Sequence, residues 1–368
     1  MHYHCQTIMG DKMSETLKDR TEQRLNSGLL GQWYVIAKSS QIQPGKHMAL
    51  MALGRKLVLW RGEDGTLGCT EDYCPHRGAP LSLGHVKGCN IACAYHGIEM
   101  DGGGVVAKVP ALKDCALEGR KEIDSYVVEE HCGGVFAYFP SVDRPDPIPL
   151  DLPYELVDDN YAKFLTTGLW ESNYRYAIEN IADPMHGPHL HGDTFTLSGG
   201  SREDRVKLEA VENGFTIDRV AQQGENFDWA QIIIENGTPH CRVNIPYPKA
   251  GGPGGMMRVV NFVLPVDEYN CRIFFWRCRQ VQDVEREVWR FLFRTTFEPL
   301  HWYVLEQDRV MLAAMPHNAR DRERLYQHDM GVTRLRQTLS RLARAQIAAE
   351  DAAEGGAEAA APDVVHAE

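Results

Sequence analysis

The sequence predicts an α+β protein with an all-β domain first and a mixed domain after it. Residues 30–140 hold short apolar and β-branched runs separated by turn signals such as Glu63-Asp64-Gly65, a pattern typical of antiparallel strands in a small domain. The stretch PSVDRPDPIPLDLP carries five prolines in fourteen residues and indicates a linker. After it, strand-like runs are followed by long amphipathic helical segments, which predicts an α+β second domain.

These patterns divide the chain into five segments. The polar residues up to about 27 predict a short helix, and the last stretch, DAAEGGAEAAAPDVVHAE, has almost no large apolar side chains, which predicts disorder. We therefore expect an N-terminal extension at 1–28, a β-rich domain at 29–140, a Pro-rich linker at 141–154, an α+β domain at 155–348 and a disordered tail at 349–368.

Charge and composition argue against several classes of protein. The net charge of −12 argues against a nucleic-acid binder, which needs a basic face. No apolar run approaches the ~18 residues of a membrane span, and the first residues, MHYHCQTIMGDKMSETLKDR, lack the basic-then-apolar order of a signal peptide. Ten cysteines without an export signal favour reduced thiols. We expect a cytoplasmic protein with no membrane or nucleic-acid partner.

Four soft-metal ligands lie in two short clusters within CPHRGAPLSLGHVKGCNIACAYH. Cys74 and His76 are one residue apart, Cys93 and His96 are two apart, and sixteen residues separate the clusters. Two thiolates and two imidazoles suit tetrahedral zinc or one type of iron–sulfur cluster. Because each cluster contains one Cys and one His followed by turn residues, two loops at the tips of hairpins would close over a binuclear centre.

This pattern, C-x-H, sixteen residues, C-x2-H, resembles a Rieske [2Fe-2S] domain. The resemblance implies that Cys74 and Cys93 bind one iron of the cluster, and His76 and His96 the other; a structural zinc loop is the alternative. Respiratory-type Rieske proteins have an extra cysteine in each loop, whereas the first loop here has Arg77-Gly78 at that place. The loops therefore look like those of Rieske oxygenases.

A second cluster of ligands lies in ENIADPMHGPHLH, with Asp183, His186, His189 and His191 beside a helix broken by Gly187-Pro188. Two imidazoles and one carboxylate on one face of Fe(II) leave positions open for dioxygen and substrate. In a regular helix His186 and His191 would lie about 140° apart, so both can face one metal only where the helix is distorted. His189 is the competing ligand.

The spacing D-x2-H-x4-H resembles the mononuclear iron site of Rieske oxygenases, with His186 and His191 as ligands. The resemblance places the iron carboxylate further along, where Asp308 in VLEQDRVML is the candidate and Glu306 the alternative. Asp183 would not bind iron in this family. It would connect an iron-ligating histidine to a cluster-ligating histidine of the neighbouring subunit, and Asn180 resembles a neighbour of the iron.

The resemblance covers nearly the whole chain, from QWYVIA near residue 32 to HDMGVTRLR near 328. It implies an N-terminal Rieske [2Fe-2S] domain, a helix-grip (START-like) α+β catalytic domain and a homotrimer, because the cluster and iron of one chain are expected to lie too far apart. Candidate pocket walls are Phe195, Leu197, Ile233, Phe262 and Trp302.

The implied function is that of the terminal oxygenase of a multicomponent system. The chain has no NAD or flavin motif, since GGPGG at 251–255 is not a GxGxxG between strand and helix. Electrons from NAD(P)H would therefore arrive through a separate reductase, with or without a ferredoxin. The short chain favours monooxygenation, including O- or N-demethylation, of an aromatic or similar small molecule. Ring cis-dihydroxylation and a Rieske electron-transfer protein without oxygenase activity are the alternatives.

Overall fold

The structure, a computed structural model, describes residues 16–194, 197, 201–221, 227–247 and 255–360. Its first part consists of three small antiparallel sheets, in the strand orders β1-β10-β9, β2-β3-β4 and β5-β6-β7-β8. The strands are β1 Gln32–Lys38, β2 Lys46–Ala52, β3 Arg55–Arg61, β4 Leu67–Glu71, β5 His85–Lys87, β6 Asn90–Ala92, β7 Glu99–Met100, β8 Val106–Lys108, β9 Val128–His131 and β10 Gly134–Phe139.

The second part is built on one seven-stranded antiparallel sheet in the order β11-β17-β16-β15-β14-β13-β12. The strands of this sheet are β11 Tyr161–Trp170, β12 Val206–Val211, β13 Gly214–Arg219, β14 Trp229–Ile233, β15 His240–Tyr247, β16 Gly255–Pro265 and β17 Cys271–Gln280. β17 is buried along almost its whole length because it lies between β11 and β16.

The helices flank this sheet. They are α1 Leu17–Ser27, α2 Tyr154–Val157, α3 Tyr174–Ile181, α4 Gly187–Leu190, α5 Asp283–Leu292, α6 Glu298–Ala314 and α7 Met330–Ala360, with a π-helical turn at Phe293–Phe297 between α5 and α6. Leu335, Leu339 and Ala343 of α7 are buried in a core shared with α3 and the sheet. None of the described helices is long and apolar enough to cross a membrane.

The two parts share one core. Trp276 of β17 packs against Phe136 of β10 and Phe262 of β16, with ring centroids 6.3 and 5.4 Å apart. Its indole N–H also donates to the carbonyl of Cys132 at 2.9 Å. Successive strand residues face opposite sides of a sheet, so Phe275 and Arg277 lie on the other face of β17. The first domain therefore covers one face of the sheet and leaves the other for a site.

The predicted α+β class, with a β-rich first domain, is confirmed by this architecture. The predicted tail differs: helix α7 continues to Ala360, past the expected start of disorder at residue 349. Alanine and glutamate favour helix in this stretch. Two arginines of α1 also donate to carboxylates of α7: Arg20 to Asp351, and Arg24 to Glu350 at 2.6 Å. Residues 361–368 lie outside the described part of the chain.

Candidate metal centres

The two loops that carry the first four candidate ligands have the same backbone hydrogen bonds. In each, the cysteine N–H donates to the carbonyl five residues further on, and a glycine N–H four residues on donates to the cysteine carbonyl, at 2.7–2.9 Å. These glycines, Gly78 and Gly97, have φ of 72° and 73°, which residues with a Cβ rarely adopt. The sequence C-x3-G therefore folds twice into the same tight loop.

Each loop buries its cysteine and exposes its histidine. Cys74 and Cys93 are 2% and 1% exposed and form no disulfide. His76 and His96 are exposed, with their Nδ1 atoms 3.2 Å apart and ring centroids 4.5 Å apart. Burial, and the neighbouring Cys93 thiol, raise the pKa of Cys74 to about 11, so a bound cation is needed to hold the Cys74 sulfur as a thiolate. Paired thiols and paired imidazoles fit a Rieske cluster.

The two loops are also tied to each other and to the domain. Arg77 of the first loop donates to the Tyr95 hydroxyl of the second at 3.2 Å and lies over its ring. Asp72 accepts from the backbone N–H and the hydroxyl of Ser82 at 2.7 and 2.6 Å. Cys89 is exposed and donates to Asp64, so it takes no part in either loop.

The second candidate site brings together His186, His191 and Asp308. One ligand atom from each lies within 4.8 Å of the others. The Nε2 atoms of His186 and His191 are 3.6 and 3.3 Å from Asp308 Oδ1. The alternative carboxylate, Glu306, is exposed, is paired with Arg309 and lies outside this group.

The two histidines meet because they flank a single helical turn. Helix α3 ends at Ile181, and His186 and His191 are the residues directly before and after α4. His191 is outside regular helix geometry, with φ −104° and ψ 16°, so the 140° separation of a continuous helix does not apply. His189, on α4 itself, is exposed and outside the group.

Both imidazoles are oriented by an oxygen at Nδ1. The Nδ1 of His186 faces the main-chain carbonyl of Asp183, and the Nδ1 of His191 lies 2.9 Å from Gln307 Oε1. Each Nε2 is thereby turned toward Asp308, whose Oδ1 also accepts from the Asn180 amide at 3.1 Å. A second hydrogen bond of this kind is typical of metal-binding histidines.

The charge balance of the group also suits a cation. Burial lowers the pKa of His191, but hydrogen bonding and attraction to Asp308 outweigh it, so that the net pKa is above its usual value. A positive charge is thus favoured between imidazole and carboxylate. The donor set of two neutral imidazoles and one carboxylate fits Fe(II) with open positions.

Asp183 lies beside this group and is half-buried. Its carboxylate accepts from the backbone N–H of Met185 at 2.9 Å, while its contact to His186 comes from the main-chain carbonyl. The bridging role of the carboxylate involves a second subunit and stays a prediction.

A cavity that is partly open to solvent lies between the sheet and helices α3 and α6. His186, His191 and Asp308 form part of its wall. Most of the remaining wall is apolar and comes from β15–β17 and the two helices: Val243, Met257, Val259, Ile273, Phe275 and Leu305. The candidate metal site therefore opens onto space suited to a small apolar molecule.

Besides the three candidate ligands and Asn180, three polar side chains interrupt the apolar wall. They are Asn261 of β16, Arg277 of β17 and His301 of α6. Burial and the charge of Arg277 hold the pKa of His301 well below its usual value, so this imidazole is neutral. Arg277 also donates to the buried hydroxyl of Thr166.

The sequence did not identify these three residues. Strand alternation was the available signal, because in CRIFFWRCRQ it places Arg277 on the same face as Phe275. Of the predicted walls, Leu197 lines this cavity, Ile233 lines a separate small one and Phe262 lies in the shared core. Trp302 is not in the wall, and Phe195 lies outside the described residues.

Comparison with known proteins agrees with this arrangement. Residues 32–127 match the Rieske [2Fe-2S] domain, and residues 170–345 match the vanillate O-demethylase oxygenase C-terminal domain. The chain belongs to the Rieske oxygenases. Rieske oxygenases carry the [2Fe-2S] cluster in the first domain and a mononuclear iron in the second, which are the two groups that the donor sets above fit.

A vanillate O-demethylase oxygenase subunit from a Pseudomonas species is 32% identical over 188 residues, covering 50% of each chain. The terminal oxygenase component of carbazole 1,9a-dioxygenase from Metapseudomonas resinovorans is 33% identical over 198 residues, covering 49% of this chain and 50% of that one. The chain thus spans about half the length of these relatives. The solved structure of dicamba monooxygenase bound to dicamba has the same fold, with TM-score 0.67 and 20% identity over 87% of this chain and 100% of that one.

Proposed function

We propose that the chain is the terminal oxygenase component of a multicomponent Rieske system. The observation that carries the proposal is the opening of the His186, His191 and Asp308 group onto the apolar cavity. An electron carrier needs no such cavity. With both metals bound, the cluster held by the first domain would supply electrons. The iron held by the triad of His186, His191 and Asp308 would activate dioxygen beside the substrate.

The reaction class that fits is monooxygenation. It consumes one dioxygen, two electrons and two protons and yields a hydroxylated product and water; on an O- or N-methyl group the hydroxylated carbon leaves as formaldehyde. The relatives named vanillate O-demethylase and dicamba monooxygenase support this choice. Electrons would come from NAD(P)H through a separate reductase, with or without a ferredoxin, to a homotrimer. The cytoplasm stays the predicted compartment.

The residues of the cavity would bind and orient the substrate. Apolar side chains of β15–β17 and α6 would bury its aromatic body and exclude water. Arg277 favours a substrate that carries an anionic group, because a guanidinium binds carboxylates through paired hydrogen bonds. Asn261 and the neutral His301 supply further hydrogen-bonding groups on the same wall.

Metal analysis of the purified chain and turnover of model substrates test the proposal. We expect about three irons and two labile sulfides per chain, and one iron fewer in Asp308→Ala. With a generic reductase, 4-methoxybenzoate should support oxygen uptake with one formaldehyde released per dioxygen. A cis-diol product from a plain aromatic acid would indicate dihydroxylation instead. Two irons and no substrate-dependent oxygen uptake would indicate an electron carrier, and zinc alone would contradict the Rieske site.

A further inference from the structure

A line of hydrogen bonds runs from His191 to the protein surface. The Nδ1 of His191 is 2.9 Å from Gln307 Oε1, and Gln307 Nε2 donates to Asp193 Oδ1 at 2.7 Å. The hydroxyl of Tyr303 donates to the other oxygen of Asp193 at 2.6 Å. His191 is 2% exposed, whereas Asp193 and Tyr303 are exposed. We name these three residues, Gln307, Asp193 and Tyr303, the amide relay.

The direction of each hydrogen bond in the amide relay follows from the chemistry of its outer end. An ionised aspartate accepts hydrogen bonds and cannot donate them, so Gln307 must turn its NH2 group toward Asp193. The amide oxygen then faces His191, and an oxygen can only accept. When a metal is bound at Nε2, the atom that faces Asp308, the single proton of the neutral imidazole is therefore held on Nδ1 by an acceptor.

The other histidine needs no such relay. The Nδ1 of His186 faces a main-chain carbonyl, which has no donor to present. A glutamine side chain has both a donor and an acceptor end, and either end can face an imidazole. Asp193 is the group that fixes which end does so, and Tyr303 is the group that fixes Asp193.

The local sequence explains why these residues meet. Tyr303 and Gln307 are four residues apart on α6 and lie on one face of the helix, next to Asp308. Asp193 comes two residues after His191. The amide relay therefore cross-links the two segments that supply His191 and Asp308.

We propose that Gln307 is a positioning residue that holds His191 in the tautomer and orientation able to bind the mononuclear metal, and that Asp193 sets the direction of the Gln307 amide. This inference rests on the proposed metal site. When Gln307 is absent, both tautomers of His191 become accessible and the ring is free to turn. Loss of a partner of this kind weakens metal binding by roughly 10- to 100-fold.

The decisive variant exchanges the two functional groups. In Gln307→Glu with Asp193→Asn, a carboxylate faces His191 and an amide faces Tyr303, and the net charge is unchanged. The carboxylate accepts from Nδ1 and from the new amide, so the line of hydrogen bonds can re-form. Gln307→Leu removes it. The matched control is Gln337→Leu, the same substitution at an exposed glutamine of α7.

The measurement is Co(II) binding by calorimetry to the full chain, after chelation has emptied the mononuclear site and left the cluster intact. We expect Gln307→Leu to bind Co(II) at least tenfold more weakly than the parent, the exchange variant to bind within about threefold of it, and Gln337→Leu to match it. In the Co(II)-loaded parent, ¹H NMR should show a sharp, hyperfine-shifted signal from the His191 Nδ1–H, because Gln307 accepts from it; in Gln307→Leu this proton should exchange with solvent faster and its signal should broaden.

Two results would overturn the proposal: Co(II) affinity in Gln307→Leu equal to that of the parent, or an exchange variant as weak as Gln307→Leu. If Gln307→Leu folds poorly, the Asp193→Asn variant serves instead, because it leaves the amide free to flip and should weaken Co(II) binding and broaden the Nδ1–H signal; an unchanged Co(II) affinity and an unchanged signal there would contradict the role of Asp193. Failure of the proposed metal site itself would appear differently, as equal Co(II) binding by the parent and Asp308→Ala.

Discussion

Glu179 on α3 is the carboxylate whose loss we expect to disturb the catalytic domain most. It is 6% exposed and accepts from Arg336 Nη2 and Nε at 2.7 and 2.9 Å and from Arg320. The next residue, Asn180, donates to Asp308. Glu179 therefore links α3 to α7, and α3 is also the helix that supports the candidate iron carboxylate through Asn180.

Glu179→Gln keeps the shape of this side chain and removes its charge. Breaking a buried ion pair by removing one partner costs about 3–5 kcal/mol. The Arg320 and Arg336 side chains keep 20% and 24% exposure, and Arg336 keeps Glu323 as a partner, so the lower end of the range applies. A loss of about 3 kcal/mol in a domain of this size lowers Tm by roughly 6–12 °C.

Differential scanning calorimetry of the full chain measures this shift in the transition of the catalytic domain. The matched control is Glu235→Gln, which removes the partner of Arg341 from an ion pair whose side chains are 34% and 59% exposed. Exposed pairs contribute about 0–1 kcal/mol, so the control should move Tm by no more than about 4 °C. Equal shifts in the two variants would refute the argument that burial decides the cost.

Three further predictions concern the bridge, the cavity and pH. Asp183→Ala should keep the mononuclear metal, because its contact to His186 comes from the main chain, yet lose turnover; normal oxygen uptake would contradict the bridging role. Arg277→Gln should raise KM for 4-methoxybenzoate at least tenfold and leave KM for its methyl ester unchanged, and equal changes would contradict charge recognition. Burial lowers the pKa of His240 from its usual 6.5 to about 4, so the folded state resists its protonation. The neutral state of His240 therefore contributes about 3 kcal/mol to the free energy of unfolding above pH 6.5, and this contribution is lost as pH falls toward 4. In His240→Asn, urea titrations should show a correspondingly smaller loss of unfolding free energy across that pH range.

The features that the sequence predicted are those that depend on local spacing. The four candidate cluster ligands lie within 23 residues, and one C-x3-G loop forms each half of the site. The local sequence pattern therefore determines most of the geometry of this site. His186 and His191 lie five residues apart across a break that Gly187-Pro188 made visible. Short apolar runs between turn signals, the proline-rich linker and the amphipathic helical segments were enough to predict the fold class.

The features that the sequence missed are contacts between distant segments. Gln307 meets Asp193 across 114 residues, and no local pattern marks that pairing. Arg277 was readable as a charge within an apolar strand, but the strand alone does not say which face lines the cavity. Helix α7 extends past residue 349 because Arg20 and Arg24, at the other end of the chain, supply partners for its acidic side chains.

The two candidate metal sites are coupled to the fold in different ways. The four candidate cluster ligands come from two neighbouring loops whose backbone hydrogen bonds close without any other part of the chain. The triad draws on the α4 turn and on α6, and α3 supports it through Asn180, so a metal there joins elements more than a hundred residues apart. Metal that binds the folded state alone adds its binding free energy to stability. Emptying the triad should therefore loosen the contact between α3 and α6, whereas the Rieske loops would keep their backbone frame.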